Sequence, residues 1–439
     1  MLNSLGPRQN FPFPFQNTSH CPARASLEVI KGAFAAYPRR RREKNTYRNR
    51  FVPCTHSWSI FRPGLPDMSD MPARLIVFYL PQYHPIPEND QWWGKGFTEW
   101  TNVTGTRPLF YGHYQPHLPA DLGFYDLRVP EVREAQAAMA QKYGIYGFCY
   151  YHYWFNGRQL LQRPFAEVLA SGRPDFPFCL CWANENWARA RDGYEGEVLL
   201  AQTYSHEDDL AHIRMLLPAF RDLRYIRIDG KPLFLVYRTD LLPDPRRTAE
   251  IWRGEAVRAR IGDLFLAGVE SWGQDIRPAE IGFDGTVEFA PDWRSAGYPR
   301  FRRKRYALLR KIGVIPRAYI DHNVFDYQLL VDRMLKRPKP AHKRFLGVTP
   351  SWDNTPRRWQ NANILHGTTP QRYEAWLRTV IRRTRERYTG DERIIFINAW
   401  NEWGEGCHLE PDHRWGHGYL EATRRALEEE RDPKAQDES

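Results

Sequence analysis

The sequence predicts an α/β chain folded as a (β/α)8 barrel, with long loops behind its strands. Three observations carry that expectation. Eight short apolar runs alternate with helix-period segments between residues 75 and 431. Several of these runs are continuously apolar, as strands of a parallel sheet buried on both faces are. Polar and aromatic residues crowd directly behind the runs, where a barrel of this kind gathers its functional groups. An open doubly wound sheet is the alternative, but no Gly-rich turn follows the first run, which weakens its dinucleotide-binding version.

The strands are expected at 75–80 (LIVFYL), 145–151 (IYGFCYY), 178–182 (FCLCW), 233–237 (LFLVY), 264–269 (LFLAGV), 285–289 (GTVEF), 345–348 (FLGV) and 394–399 (IIFINA). Helical periodicity is read at 129–143, 161–170, 207–220, 246–260, 326–336, 369–388 and 419–431. The domain reading is one barrel over 71–432, with a short tail at 433–439. Residues 1–70 read as a disordered basic leader or a mis-assigned start, with Met68 and Met71 standing just before the first strand; an organelle transit peptide is the alternative.

The 439 residues carry a formal net charge of +11. Residues 1–67 hold eleven Lys/Arg against three Asp/Glu, a net +8, which leaves +3 for the remainder. The basic character therefore says little about the partner of the folded part. Nucleic acid is not expected as a partner, because no RNA- or DNA-binding motif accompanies the charge. No apolar run is long enough to span a bilayer. Six scattered cysteines read as reduced and the protein as cytoplasmic. Cys179 and Cys181 are expected on opposite faces of their strand. The 16 Trp, 23 Tyr and 24 Phe suggest a site that stacks on flat ligands, sugars or bases among them.

The sharpest constellation is Trp400-Asn401-Glu402-Trp403-Gly404-Glu405-Gly406, behind the eighth run. Two carboxylates three residues apart, in a turn that the glycines let bend tightly, can face one axis at short separation. Like charges held close push one pKa up, so one group suits an acid and the other a base. Paired carboxylates are also the working parts of glycoside hydrolysis. Trp182, Asn184, Glu185 and Trp187 form a second set: tryptophans stack on sugar C–H faces and amides bind hydroxyls. The loop holding Trp93, Glu99 and Trp100 is long enough to wall the same pocket. Tyr79, Tyr83 and His84 end the first run, His152 and Trp154 the second, Trp352 and Asp353 the seventh, and Asn401 and Trp403 flank the carboxylates. All are expected to line one substrate pocket. No HExxH and no tight His/Asp cluster is visible, so neither a catalytic metal nor a cofactor is expected. The basic segment from Arg300 to Arg317 is read as a solvated surface helix, a phosphate-binding patch, or a peripheral contact with an anionic inner-membrane face.

Four segments carry a family resemblance: FYLPQYHP at 78–85, GFTEW at 96–100, WANE at 182–185 and WNEWGEG at 400–406. Residues 74 to about 432 resemble the WbsX-type glycosyltransferases of bacterial O-antigen and capsule gene clusters, a branch of proteins similar to glycoside hydrolase family 99. The resemblance implies a (β/α)8 barrel acting in surface polysaccharide (lipopolysaccharide) biosynthesis. Its substrate would be an oligosaccharide or polysaccharide, lipid-linked or drawn from a nucleotide-activated sugar. It implies that Glu402 deprotonates the sugar 2-hydroxyl and that Glu405 is the general acid/base. The family-99 hydrolases usually carry His where this chain has Gly404, which loosens any inference to endo-mannosidase specificity. An endo-acting retaining α-mannan hydrolase and a non-catalytic carbohydrate-binding barrel are the alternatives.

Overall fold

The computed structural model describes residues 71–189 and 197–431. The leader at 1–70 and the tail expected at 433–439 lie outside the described residues. The eight expected strands form as β1 (Arg74–Tyr79), β2 (Gly147–Phe155), β3 (Phe178–Trp182), β4 (Lys231–Val236), β5 (Phe265–Val269), β6 (Gly285–Val287), β7 (Arg344–Val348) and β8 (Ile394–Ile397). Each pairs in parallel with the next, and β1 pairs with both β2 and β8, so the sheet closes into a barrel. Closure removes every edge of the parallel sheet.

Among the described residues, seven helices of nine residues or more follow these strands: α1 (Pro130–Lys142), α2 (Arg163–Ser171), α3 (His206–Arg221), α4 (Pro245–Arg258), α5 (Tyr327–Leu335), α6 (Pro370–Arg387) and α7 (Gly418–Arg431). No long helix joins β5 to β6; two single turns, Ser271–Gly273 and Pro278–Ile281, stand there instead. Helix α6 shows how sequence sets these elements. The Thr369 side chain caps its first turn by accepting from the Arg372 N–H, and Pro370 occupies a position where its missing N–H costs nothing. Tyr373, Trp376, Leu377, Val380 and Ile381 then recur at three- and four-residue spacing and are buried.

Parity along each strand separates two interiors. Phe78, Tyr151, Tyr237, Phe289 and Phe396 come from different parts of the ring yet touch: Phe78 at the end of β1 lies 6.0 Å from Phe289 behind β6, and Tyr237 lies 5.4 Å from Phe289. Side chains from opposite strands can meet only through the barrel lumen. Their neighbours in sequence face outward, against the helices. Cys179 and Cys181 both sit beside Cys149. This corrects the expectation of opposite faces, because residues two apart in a strand share a face.

Candidate active site

The turn behind β8 is built by its own sequence. Asn401 and Glu402 pair antiparallel with His408 and Cys407, closing a hairpin around the one-turn helix Trp403–Glu405. Gly406 sits at φ 59°, and a Cβ there would press within 3.0 Å of Asp353. Asn401 docks the hairpin onto β1: its Oδ1 accepts from the Leu80 N–H at 2.8 Å, and its Nδ2 donates to the Leu80 carbonyl at 3.0 Å. The Tyr83 hydroxyl donates to the Asn401 carbonyl at 2.6 Å and accepts from the Trp403 N–H at 3.1 Å. Trp403 is fixed in turn by its indole N–H on Glu410 at 2.7 Å, and Trp100 packs beside it at 5.6 Å. Asn401, Tyr83, Trp100 and Trp403 are therefore the scaffold beneath the turn.

Above that scaffold, Arg357 binds three carboxylates at once. Its Nε meets Glu99 at 2.6 Å, and its two terminal nitrogens meet Glu402 at 2.8 Å and Glu405 at 2.9 Å. Gly404 makes this possible, since a Cβ at that position would collide with the Glu99 carboxylate and crowd the Arg357 Nε. The departure at Gly404 is thus structurally used: the space of a side chain is filled by Glu99, which the short helix Glu99–Thr104 delivers.

Three carboxylates around one guanidinium leave excess negative charge in a partly buried place. Burial pushes Glu402 up to about 8; Arg357 pulls it back, while Glu405 and Glu99 push it further. Glu405 is raised by burial against the same pull from Arg357. Burial lowers Arg357, but the three acids outweigh that and hold it well above its ordinary value. The cluster therefore retains a shared proton near neutrality, as closely held carboxylates do. A site that can give up a proton and take one back is the chemical requirement for general acid/base work.

Glu405 also lines a cleft of about 400 Å³, together with Tyr237, Trp272, Phe289, Trp293, Trp352 and Asn354. Trp272 is 68 % exposed and held at φ 51°, in the left-handed region that bulky residues avoid. Trp293 stands edge-on to Trp352 at 5.5 Å. Asp353, next to Trp352, donates its N–H to the Glu405 carbonyl at 2.6 Å, which ties the seventh loop to the eighth. Burial raises the Asp353 carboxyl, but the hydrogen bond and charge of His113 at 2.5 Å outweigh it and hold the group below the ordinary range. Glu185 pairs with Arg238 at 2.7 Å, and burial raises it against that pairing. Trp187 packs edge-on against Tyr153 at 5.3 Å and Trp92 at 5.7 Å.

Other residues expected in the pocket lie elsewhere. Tyr79 donates to Gln136 of α1 at 2.7 Å. His152 meets His212 of α3 at 3.0 Å, Trp154 donates its indole N–H to Asp208 at 2.9 Å, and Trp182 packs on His212 and Trp252. All four point outward, into the layer between strands and helices. Asn184 is spent as a strut, bridging the backbone N–H and carbonyl of Arg238 at 2.8 Å each. His84 lies beside Asp126 and Arg128, and burial lowers it to about 4. Trp93 packs on Phe97 at 5.8 Å. The clustering of aromatics behind the strands pointed to Tyr153 and Trp272, but sequence reasoning missed Arg357, Tyr151, Tyr237 and Trp293. Parity would have found Tyr151: it shares a face with Tyr153 and the lumen, whereas His152 and Trp154 cannot.

The family model described as Glycosyltransferase WbsX matches residues 75–423. The chain is 46 % identical over 357 residues to WxcX of Xanthomonas campestris pv. campestris strain B100, and 45 % identical to that of strain ATCC 33913. These matches cover 81 % of this chain and 50 % of each relative, so the chain spans about half the length of the curated relatives it matches. Among solved structures, a glycoside hydrolase-like protein has a TM-score of 0.50 at 14 % identity, covering 85 % of this chain and 97 % of its own. The GH99 endo-alpha-mannosidase from Bacteroides thetaiotaomicron has a TM-score of 0.47 at 17 % identity, over 83 % of this chain and 98 % of its own.

Proposed function

Because the chain belongs to the WbsX glycosyltransferase family, we propose that it is a glycan-active enzyme of bacterial surface-polysaccharide assembly, transferring a glycosyl group through Glu402 and Glu405. The observation that carries the reading is the cluster of Glu99, Glu402 and Glu405 on Arg357, opening through Glu405 onto an aromatic cleft. Aromatic faces take up the apolar side of a sugar ring, and Glu405 is the carboxylate such a ring meets first.

Glu405 then serves as acid/base and the deeper Glu402 as the base toward the sugar 2-hydroxyl, which requires the proton that burial favours on Glu402 to pass to Glu405 when the sugar binds. Glu402 takes the 2-hydroxyl proton, the freed oxygen attacks the anomeric carbon, and Glu405 gives its proton to the departing oxygen. In the second half Glu405 takes a proton from the acceptor hydroxyl. That oxygen opens the anhydro-sugar, and Glu402 returns the proton to the 2-oxygen. Arg357 holds both carboxylates in register throughout, and Glu99 holds Arg357.

The donor is a nucleotide-activated or lipid-linked sugar, and the reaction takes place in the cytoplasm at the inner membrane. The segment from Arg300 to Arg317 supports the second point. Leu308, Ile312 and Val314 are each at least 60 % exposed beside Arg303, Lys304, Arg305 and Lys311, and an exposed apolar ridge among cations suits an anionic bilayer surface. No helix among the described residues is long and apolar enough to cross a membrane.

The test is product analysis against nucleotide sugars and mannose-containing oligosaccharides, with and without acceptor. Acceptor-dependent disaccharide formation is expected, and it should fall in Glu405→Gln, most of all with donors whose leaving group needs protonation. Release of free sugar into water with no use for acceptor would make the chain a hydrolase instead. Absence of turnover, with binding retained, would leave a carbohydrate-binding barrel. Sedimentation with phosphatidylglycerol vesicles, lost in a Leu308→Asp/Ile312→Asp variant, checks the membrane contact.

A further inference from the structure

We propose that His117, His408 and Asp412 form a binding site for a divalent metal ion of the zinc type, which staples the hairpin behind β8 to the loop behind β1. Ligand spacing in the sequence gave no sign of it, because His117 and His408 are 291 residues apart. The fold makes them neighbours, and all three side chains are buried.

Hydrogen-bond accounting carries the inference. His117 Nε2 lies 3.1 Å from the Tyr114 carbonyl, and His408 Nδ1 lies 2.9 Å from the Glu410 carbonyl. A carbonyl oxygen can only accept, so each of those nitrogens carries the ring hydrogen. The nitrogens left over, His117 Nδ1 and His408 Nε2, are then bare lone pairs, and they face each other at 2.9 Å. Two lone pairs at that range repel unless a cation lies between them. Asp412 adds an anionic oxygen 3.7 Å from His408 Nε2, and the three donor atoms lie within 4.8 Å of one another. Nitrogen donors about 2.0–2.1 Å from one ion stand roughly 3 Å apart, so the rings are already close to ligand positions.

The surroundings are those of a metal site. A backbone carbonyl on the far nitrogen is what orients a metal-bound histidine. Asp412 is oriented in the same way, since its Oδ1 accepts from the N–H groups of Arg414 and Trp415 at 2.9 and 2.6 Å, leaving Oδ2 for the ion. Two imidazoles and one carboxylate leave room for a further donor, on the side where His117 borders a cleft of about 250 Å³. His408 stacks on Trp403 at 3.7 Å and pairs with Asn401, so an ion here would stiffen the turn that holds Glu402 and Glu405.

The experiment uses the full chain without an affinity tag and reads metal, not turnover, so its outcome is independent of the proposed reaction. Elemental analysis of protein purified without chelator should find about one zinc-like ion per chain. Co²⁺ added to stripped protein should give the visible bands of a low-coordinate site, and Zn²⁺ should raise Tm. Asp412→Asn keeps the acceptor for Arg414 and Trp415, and with His117→Gln it should lose the stoichiometric ion and the Tm response while keeping the far-UV spectrum. If either variant does not fold, the wild-type measurements still decide. A wild-type chain that neither carries nor takes up Zn²⁺ or Co²⁺ would overturn the proposal, and ¹⁵N NMR would then show a His117–His408 pair sharing an imidazolium proton. Unchanged stoichiometry in Asp412→Asn would also overturn it.

Discussion

Two regions of this barrel use nearly the same residue types and do different things with them. At the mouth, Glu99, Glu402 and Glu405 crowd one guanidinium beside tryptophans and tyrosines. On the outer wall of β2 and β3, His152, Trp154 and Trp182 pack with His212, Asp208 and Trp252. The outer cluster is filled by rings that pack on one another, with Asp208 held by the Trp154 indole. The mouth cannot be satisfied that way, because its three carboxylates outnumber the guanidinium that binds them, Arg357, even with Arg358 nearby. Aromatic and titratable content alone therefore does not mark a site; unbalanced charge facing open space does.

The largest effect expected from breaking this contrast is catalytic. Glu405→Gln should lower turnover about 10²–10⁴-fold on substrates with poor leaving groups, and an activated aryl glycoside should partly escape the loss. Glu402→Gln should be severe on every substrate, and the double variant should cost far less than the product of the singles. Near-wild-type rates in either single variant would remove the pair from the mechanism.

Next in size is the outer cluster, where damage should appear in stability alone. Trp182→Ala should cost about 3–5 kcal/mol in denaturant unfolding, as large core truncations do, with kcat/KM of the folded fraction unchanged. A specific loss of kcat/KM would mean the outer wall communicates with the mouth.

A methyl group sharpens the comparison from the other side. Gly404→Ala should push Glu99 and Arg357 off the carboxylates and cost about 10²-fold in kcat, in line with small misplacements of catalytic groups. Full activity in this variant would show that Arg357 is not needed in register.

The smallest effect is in pH and has a defined sign. Glu402 is raised to about 8 in the folded chain, against about 4.3 for a free side chain. The folded state therefore binds the extra proton, and the stability linked to it is present below the unfolded pKa and lost as pH rises toward 8. Glu402→Gln removes that dependence, so its Tm should overtake wild type by a few degrees toward pH 8 and not at pH 4. A constant Tm difference across this range would contradict a shared proton at the mouth.

The sequence by itself determined the barrel, its seven helices and the motif that carries the paired carboxylates. Those signals are local: apolar runs, helical spacing, caps, and glycines in a turn that must bend. It also placed Glu99, Glu185, Asp353, Asn401 and Trp403 near strand ends, where a barrel gathers its loops. What each side chain faces was decided only by the tertiary structure. Tyr151 and His152 are adjacent in the chain, yet one enters the lumen and the other the helix layer, because a strand turns successive residues to opposite faces and only closure says which face is inside. Arg357 stands between the seventh and eighth strands with nothing local to mark it. It becomes the centre of the site because the fold brings Glu99 from the first loop and Glu402 and Glu405 from the last to the same few ångströms, and three like charges there require a cation.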